Sequence, residues 1–153
     1  MASGEEAESE NEADHWERMA YAARSESRHE DALVLFSMMA SAADASAIQV
    51  AHALKCRGLL LSDLKRFGEA LEAYESLIER FVTASDPVLM EKVVMAMIEK
   101  GETLCDLHRP DEAFMVYGQV IERFERFANQ ALRREVRRVR NIIYMRRNRK
   151  AAP

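Results

Sequence analysis

Four histidines (His15, His29, His52, His108) and two cysteines (Cys56, Cys105) are the most versatile side chains in this sequence. His52 and Cys56 stand four residues apart, a spacing that puts both on one face of a helix. A structural zinc site needs four ligands, however, and nothing nearby completes the set. The cysteines lie 49 residues apart, which is neither a metal knuckle nor a disulfide framework. They read as small, half-buried residues in a reducing compartment, and no metal or cofactor is expected. Paired carboxylates would suit general acid–base catalysis, and Asp63/Asp106, Glu69/Glu112 and Glu79/Glu122 are candidates. Yet each acid recurs 43 residues later. A catalytic pair is needed once, whereas a structural device is needed in every copy of a unit. The chain also lacks a Gly-rich phosphate loop, an HExxH motif and a nucleophile elbow. The expectation is a protein that is not an enzyme.

The elements that carry these residues are repeated. Gly58–Phe81 aligned without gaps on Gly101–Phe124 gives twelve identities in 24 positions: Gly, Leu, Asp, Leu, Arg, Glu, Ala, Tyr, Ile, Glu, Arg and Phe. A fainter copy lies 38 residues upstream, where Ala32 and Phe36 stand for Ala70 and Tyr74. In each copy the apolar residues recur every three or four positions, as on one face of a helix. Ile48, Ala51, Leu54, Gly58 and Leu61 form a first stripe, and Ala70, Leu71, Tyr74, Leu77, Ile78 and Phe81 a second. Asp86–Pro87 and Pro110 mark helix starts in the next copy. Gly58 and Gly101 sit inside helices, where glycine costs about 1 kcal/mol relative to alanine, so a close helix–helix approach is expected there. The expected packing sets Ala70 and Ala113 against the glycines, with Tyr74 and Tyr117 one turn beyond.

The order Trp16…Ala20…Ala32…Phe36, Gly58…Leu61…Ala70…Tyr74 and Gly101…Leu104…Ala113…Tyr117 resembles the tetratricopeptide repeat, a helix–turn–helix unit of about 34 residues. The resemblance covers roughly residues 13–126. The repeats here are longer, spaced 38 and 43 residues, and the surplus around Val82–Glu91 reads as a longer first helix. The implied fold is all-α: a right-handed solenoid of three antiparallel helix pairs with a C-terminal capping helix. Residues 1–11 are then a disordered acidic tail, 12–126 the helix pairs, 127–148 the basic cap and 149–153 a tail.

The resemblance implies a scaffold or adaptor that holds a segment of a partner protein in a concave groove lined by the first helix of each pair. Groove positions are Asp14, Glu17, Tyr21 and Arg24; His52, Lys55, Leu59 and Ser62; and Met95, Ile98, Glu102 and Cys105. Tyr21, His52, Lys55, Leu59, Ile98 and Glu102 are the leading candidates for partner contact. The family's peptide clamp uses lysines and asparagines, of which Lys55 alone has a counterpart, so a chaperone-tail clamp is not expected. Acidic and apolar residues together suit a basic or amphipathic partner segment.

Charge divides the chain. Residues 1–31 carry a net −7, residues 32–122 a net −6, and residues 123–150 a net +9. Arg133, Arg134, Arg137, Arg138 and Arg140 form an expected basic face on the last helix. Such a face suits nucleic acid or an acidic protein surface, although aromatic residues are not interleaved with it. Opposite charge at opposite ends also permits head-to-tail self-assembly. A protein partner is the leading reading and nucleic acid the weaker one. The acidic N-terminus and the lack of an apolar run of about 18 residues point to a cytoplasmic protein with no membrane partner.

Overall fold

In a computed structural model that describes residues 11–127 and 129–149, the chain forms seven α-helices, with no strand among the described residues. They are α1 (Glu12–Ser25), α2 (His29–Ser41), α3 (Ala47–Asp63), α4 (Phe67–Phe81), α5 (Pro87–Asp106), α6 (Pro110–Phe124) and α7 (Gln130–Arg149). Each packs against its successor, and α5 also packs against α3 and α7. This sequential packing is that of a helical repeat. The acidic segment 1–10 and the tail 150–153 lie outside the described residues.

Two kinds of helix start alternate. The odd-numbered helices begin on side-chain caps, which supply acceptors for backbone N–H groups that have no partner within the helix. Asn11 accepts from Asp14 N, Ser46 forms a capping box with Gln49, Asp86 accepts from Val88 N and Leu89 N, and Asn129 accepts from Ala131 N and Leu132 N. The even-numbered helices follow three-residue turns. In each turn one residue is left-handed, Ser27, Lys65 or His108, with φ of 58–61°. The next amide reaches back five residues, Arg28 N to Ala23 O, Arg66 N to Leu61 O and Arg109 N to Leu104 O, closing a Schellman motif. The arginine then clasps an acid in the first turn of the new helix. Arg66 holds Glu69 through two bonds of 2.7 Å, and Arg109 holds Glu112 at 2.6 and 2.7 Å. These arginines hold both carboxyls below the usual carboxylate range. The repeated glutamates thus belong to a repeated turn.

The core runs through all seven helices. Its largest fully buried side chains include Tyr74, Tyr117, Phe36, Leu61 and Leu77. At the two glycines the packing differs from the expectation. The tyrosine ring itself, not the alanine, lies over the missing Cβ. A Cβ on Gly58 would stand 2.8 Å from Tyr74 Cδ1 and Cζ and nearer still to Cε1, and one on Gly101 would stand 2.6 Å from Tyr117 Cζ. Ala70 and Ala113 are fully buried one turn earlier. The first unit uses Ala20 and Phe36 instead, both fully buried. The longer first helix is present as expected: α1, α3 and α5 have 14, 17 and 20 residues.

The glycines therefore divide into two classes. Gly101→Ala forces a methyl group into a tyrosine ring and should destabilise the fold by about 1–3 kcal/mol, the usual cost of overpacking. Gly118 lies inside α6 with nothing within 4 Å of its Cβ position, so Gly118→Ala should stabilise by about 0.5–1 kcal/mol. Urea unfolding of the two variants, monitored by circular dichroism, checks the opposite signs.

Candidate functional site

Side chains link the odd-numbered helices into a row. Gln49 of α3 donates to Asp14 of α1 at 2.7 Å, Ser62 of α3 meets Thr103 of α5 at 3.2 Å, and Arg146 of α7 donates to Glu102 of α5 at 2.6 Å. The expected groove residues fall along this row.

At its α1–α3 end, Tyr21 Oη is 2.8 Å from His52 Nε2 and 3.4 Å from Cys56 Sγ. Glu17 Oε1 and Cys56 Sγ approach the same nitrogen, at 3.1 and 3.5 Å. Burial, then Lys92 and Lys55, lower the His52 pKa to about 4, so near pH 7 Glu17 meets a neutral imidazole and not an imidazolium. A ring protonated at Nε2 can donate to both Glu17 and Tyr21, whose hydroxyl then donates to Cys56. Burial, followed by the Cys56 contact, raises the Tyr21 pKa. The arrangement is not a nucleophilic triad, because thiol and carboxylate share one imidazole nitrogen and a relay needs opposite ones. Nor is it a metal cage: the ring nitrogen occupies the centre an ion would take, and among the described residues no three His, Cys, Asp or Glu side chains could hold one.

Lys55 and Leu59, one and two turns along α3 from His52, are half-buried. Lys92 of α5 lies near Lys55, and burial followed by that like charge lowers its pKa. Ile98 corrects the sequence reading. It is fully buried, since α5 is packed by α3, α4, α6 and α7, and it therefore contributes to the core and not to the groove surface.

The expected basic face also needs correction, because its five arginines divide between two sides of α7. Arg134 and Arg138 turn toward α5, where Arg134 lies 3.6 Å from Glu91 and Arg138 4.0 Å from Glu99. Buried Glu135 sits between them, at 3.1 and 3.6 Å. Burial raises the pKa of Glu99, and Arg138 opposes that shift. Arg133 donates to Phe127 O, and Arg140 pairs with Glu125. Between α5 and α7 lies a groove of about 530 Å³, with Ile142 and Met145 as its apolar lining and Arg134, Arg137, Arg138 and Arg146 as its cationic rim. Sequence reasoning missed Ile142, Met145 and Arg146 as site residues. Ile142 follows Leu132, Val136 and Val139 at helical spacing in the sequence, but that spacing does not distinguish lining from core.

Compared with known proteins, the chain matches no family model, no curated sequence and no solved structure.

The depressed His52 pKa has a testable consequence. Unfolded histidine titrates near 6.5, so between that value and about pH 4 the unfolded chain binds the extra proton. Stability contributed by neutral His52 is complete above pH 6.5 and falls as the pH drops toward 4. An NMR titration should place the His52 midpoint near 4, and His52→Gln should flatten the pH dependence of the unfolding free energy over that interval. A midpoint near 6.5 would contradict this assignment.

Proposed function

We propose that the chain is a tetratricopeptide-like superhelix of antiparallel helix pairs, and that it is a non-enzymatic scaffold or adaptor binding a partner protein segment along its odd-numbered helices. In this reading the odd row is the concave side, the protein works in the cytoplasm, and no membrane is involved. Among the described residues no helix is long and apolar enough to cross one. The twelve identities across 24 positions and the recurring Schellman turns support the repeat assignment.

The observation that carries the binding role is the α5–α7 groove, whose apolar lining and arginine rim suit an apolar side chain flanked by carboxylates. The acids of the row are already engaged: Asp14 by Gln49, Glu17 by His52 and Glu102 by Arg146. An amphipathic segment with acidic flanks therefore fits better than a basic one. Tyr21, Lys55 and Leu59 extend the same surface toward α1. Nucleic-acid binding has weaker support, because the groove is lined by Ile142 and Met145 and holds, among the described residues, no aromatic ring on which a base could stack.

Selection of displayed random peptides against the full chain should enrich an apolar anchor beside Asp or Glu. Met145→Asp should weaken the selected peptides by tenfold or more, since losing one buried apolar anchor costs about 1.5–3 kcal/mol. It should leave helicity intact, because Met145 is 57% exposed. Undiminished binding to this variant would place the site elsewhere.

A further inference from the structure

The 43-residue offset extends beyond the two obvious copies. Asp86, which caps α5, corresponds to Asn129, which caps α7, and both helices have 20 residues. Burial follows the same register: Leu89, Val93 and Ala96 are buried on α5, and Leu132, Val136 and Val139 on α7. Helix α7 is therefore built like the first helix of a further unit.

The register breaks most fully along one continuous face. On α5, Met90, Val94, Met97, Gly101 and Leu104 recur at helical spacing on the side where Gly101 meets Tyr117 of α6, and all five are buried. Their counterparts on α7 are Arg133, Arg137, Arg140, Tyr144 and Arg147, all exposed. The face that would receive a second helix is thus cationic around one tyrosine, itself 65% exposed. Its arginines are lightly engaged. Arg133 touches a backbone carbonyl, Arg140 pairs with exposed Glu125, Arg147 lies 5.8 Å from the Phe114 ring, and Arg137 has no acid partner among the described residues.

We propose that this face binds the acidic N-terminal segment of a second copy of the chain, Glu5, Glu6, Glu8 and Glu10 meeting the four arginines. Charge complementarity selects the occupant: residues 1–10 contain four glutamates and no lysine or arginine. Reach selects the second copy. From α1 to α7 the row takes three helix-to-helix steps of about 8–10 Å each, and ten extended residues span at most about 33–36 Å. Crossing the row to α7 would leave at most about three residues at the end of the segment to bind within one molecule, whereas the four glutamates are spread over residues 5–10 and Glu10 lies next to the start of α1 in the sequence. The contact joins different surfaces of two copies and does not close on itself, so it builds short head-to-tail chains. The arginine face adjoins the groove proposed above and shares Arg137 with it, but Met145 lies outside that face, so Met145→Asp should leave assembly intact.

Light scattering on the full chain tests the proposal. At about 50 mM salt the mean mass should rise with concentration above the monomer value of 17.5 kDa, and at about 0.5 M salt, where exposed charges are screened, it should return to that value. Replacing Arg133, Arg137, Arg140 and Arg147 with Gln should give a monomer, as should replacing Glu5, Glu6, Glu8 and Glu10 with Gln. Mixed, the two variants retain one complementary pair of surfaces and should form a 1:1 dimer and nothing larger. Arg137→Gln alone, the mildest change, should weaken assembly about tenfold. A full chain that stays monomeric at low salt overturns the proposal, as does assembly that survives either fourfold substitution. So does a monomeric chain whose arginine face binds an oligonucleotide.

Discussion

Two aromatic rings set against two absent side chains govern the architecture. Tyr74 over Gly58 and Tyr117 over Gly101 leave no space for a methyl group, so α3 with α4 and α5 with α6 are held close and in fixed register. The first of these rings also anchors a polar contact. Tyr74 Oη lies 3.5 Å from Ser62 Oγ, which meets Thr103 of α5 at 3.2 Å, so the first contact connects to the next unit. Overpacking is costly because folded interiors are already close-packed. The glycines are therefore part of the packing and not merely tolerated in it.

Around this apolar frame, charge is arranged by position along the stack. Arginine–glutamate clasps occupy the turns, acids and amides join α1 to α3, and arginines of α7 meet glutamates of α5. Most of these groups are partly exposed, where an ion pair contributes little to stability. They pair Arg134, Arg138, Arg140 and Arg146 of α7 with acids, and leave Arg137 without an acid partner among the described residues.

Much of the frame was legible from the sequence because packing repeats. Gly58/Gly101 and Tyr74/Tyr117 recur at one offset, and Asp86–Pro87 announces a helix start by its own chemistry. The ring-over-glycine contact was less legible, because spacing identifies a face but not which side chain on the opposing helix reaches it. Ile98 shows the same limit. Its position on α5 suggested a groove, but its burial depends on four neighbouring helices that no local pattern specifies. The arginines of α7 were visible as a cluster, whereas their division into two faces needed the helix in place.

The constant features of the units lie at one end of the odd-numbered helices. Ala20, Gly58 and Gly101 each stand five residues before their helix ends, the turns that follow all have three residues, and the links between units all have five. The growth from 14 to 17 to 20 residues is therefore confined to the opposite, N-terminal ends. Length there is a free parameter: an insertion of whole turns enlarges that rim of the molecule without touching the glycine–tyrosine contacts. Such an edge can lengthen or shorten while the glycine–tyrosine contacts at the opposite end keep their geometry, so the size of that rim is set apart from the packing that holds the helices together.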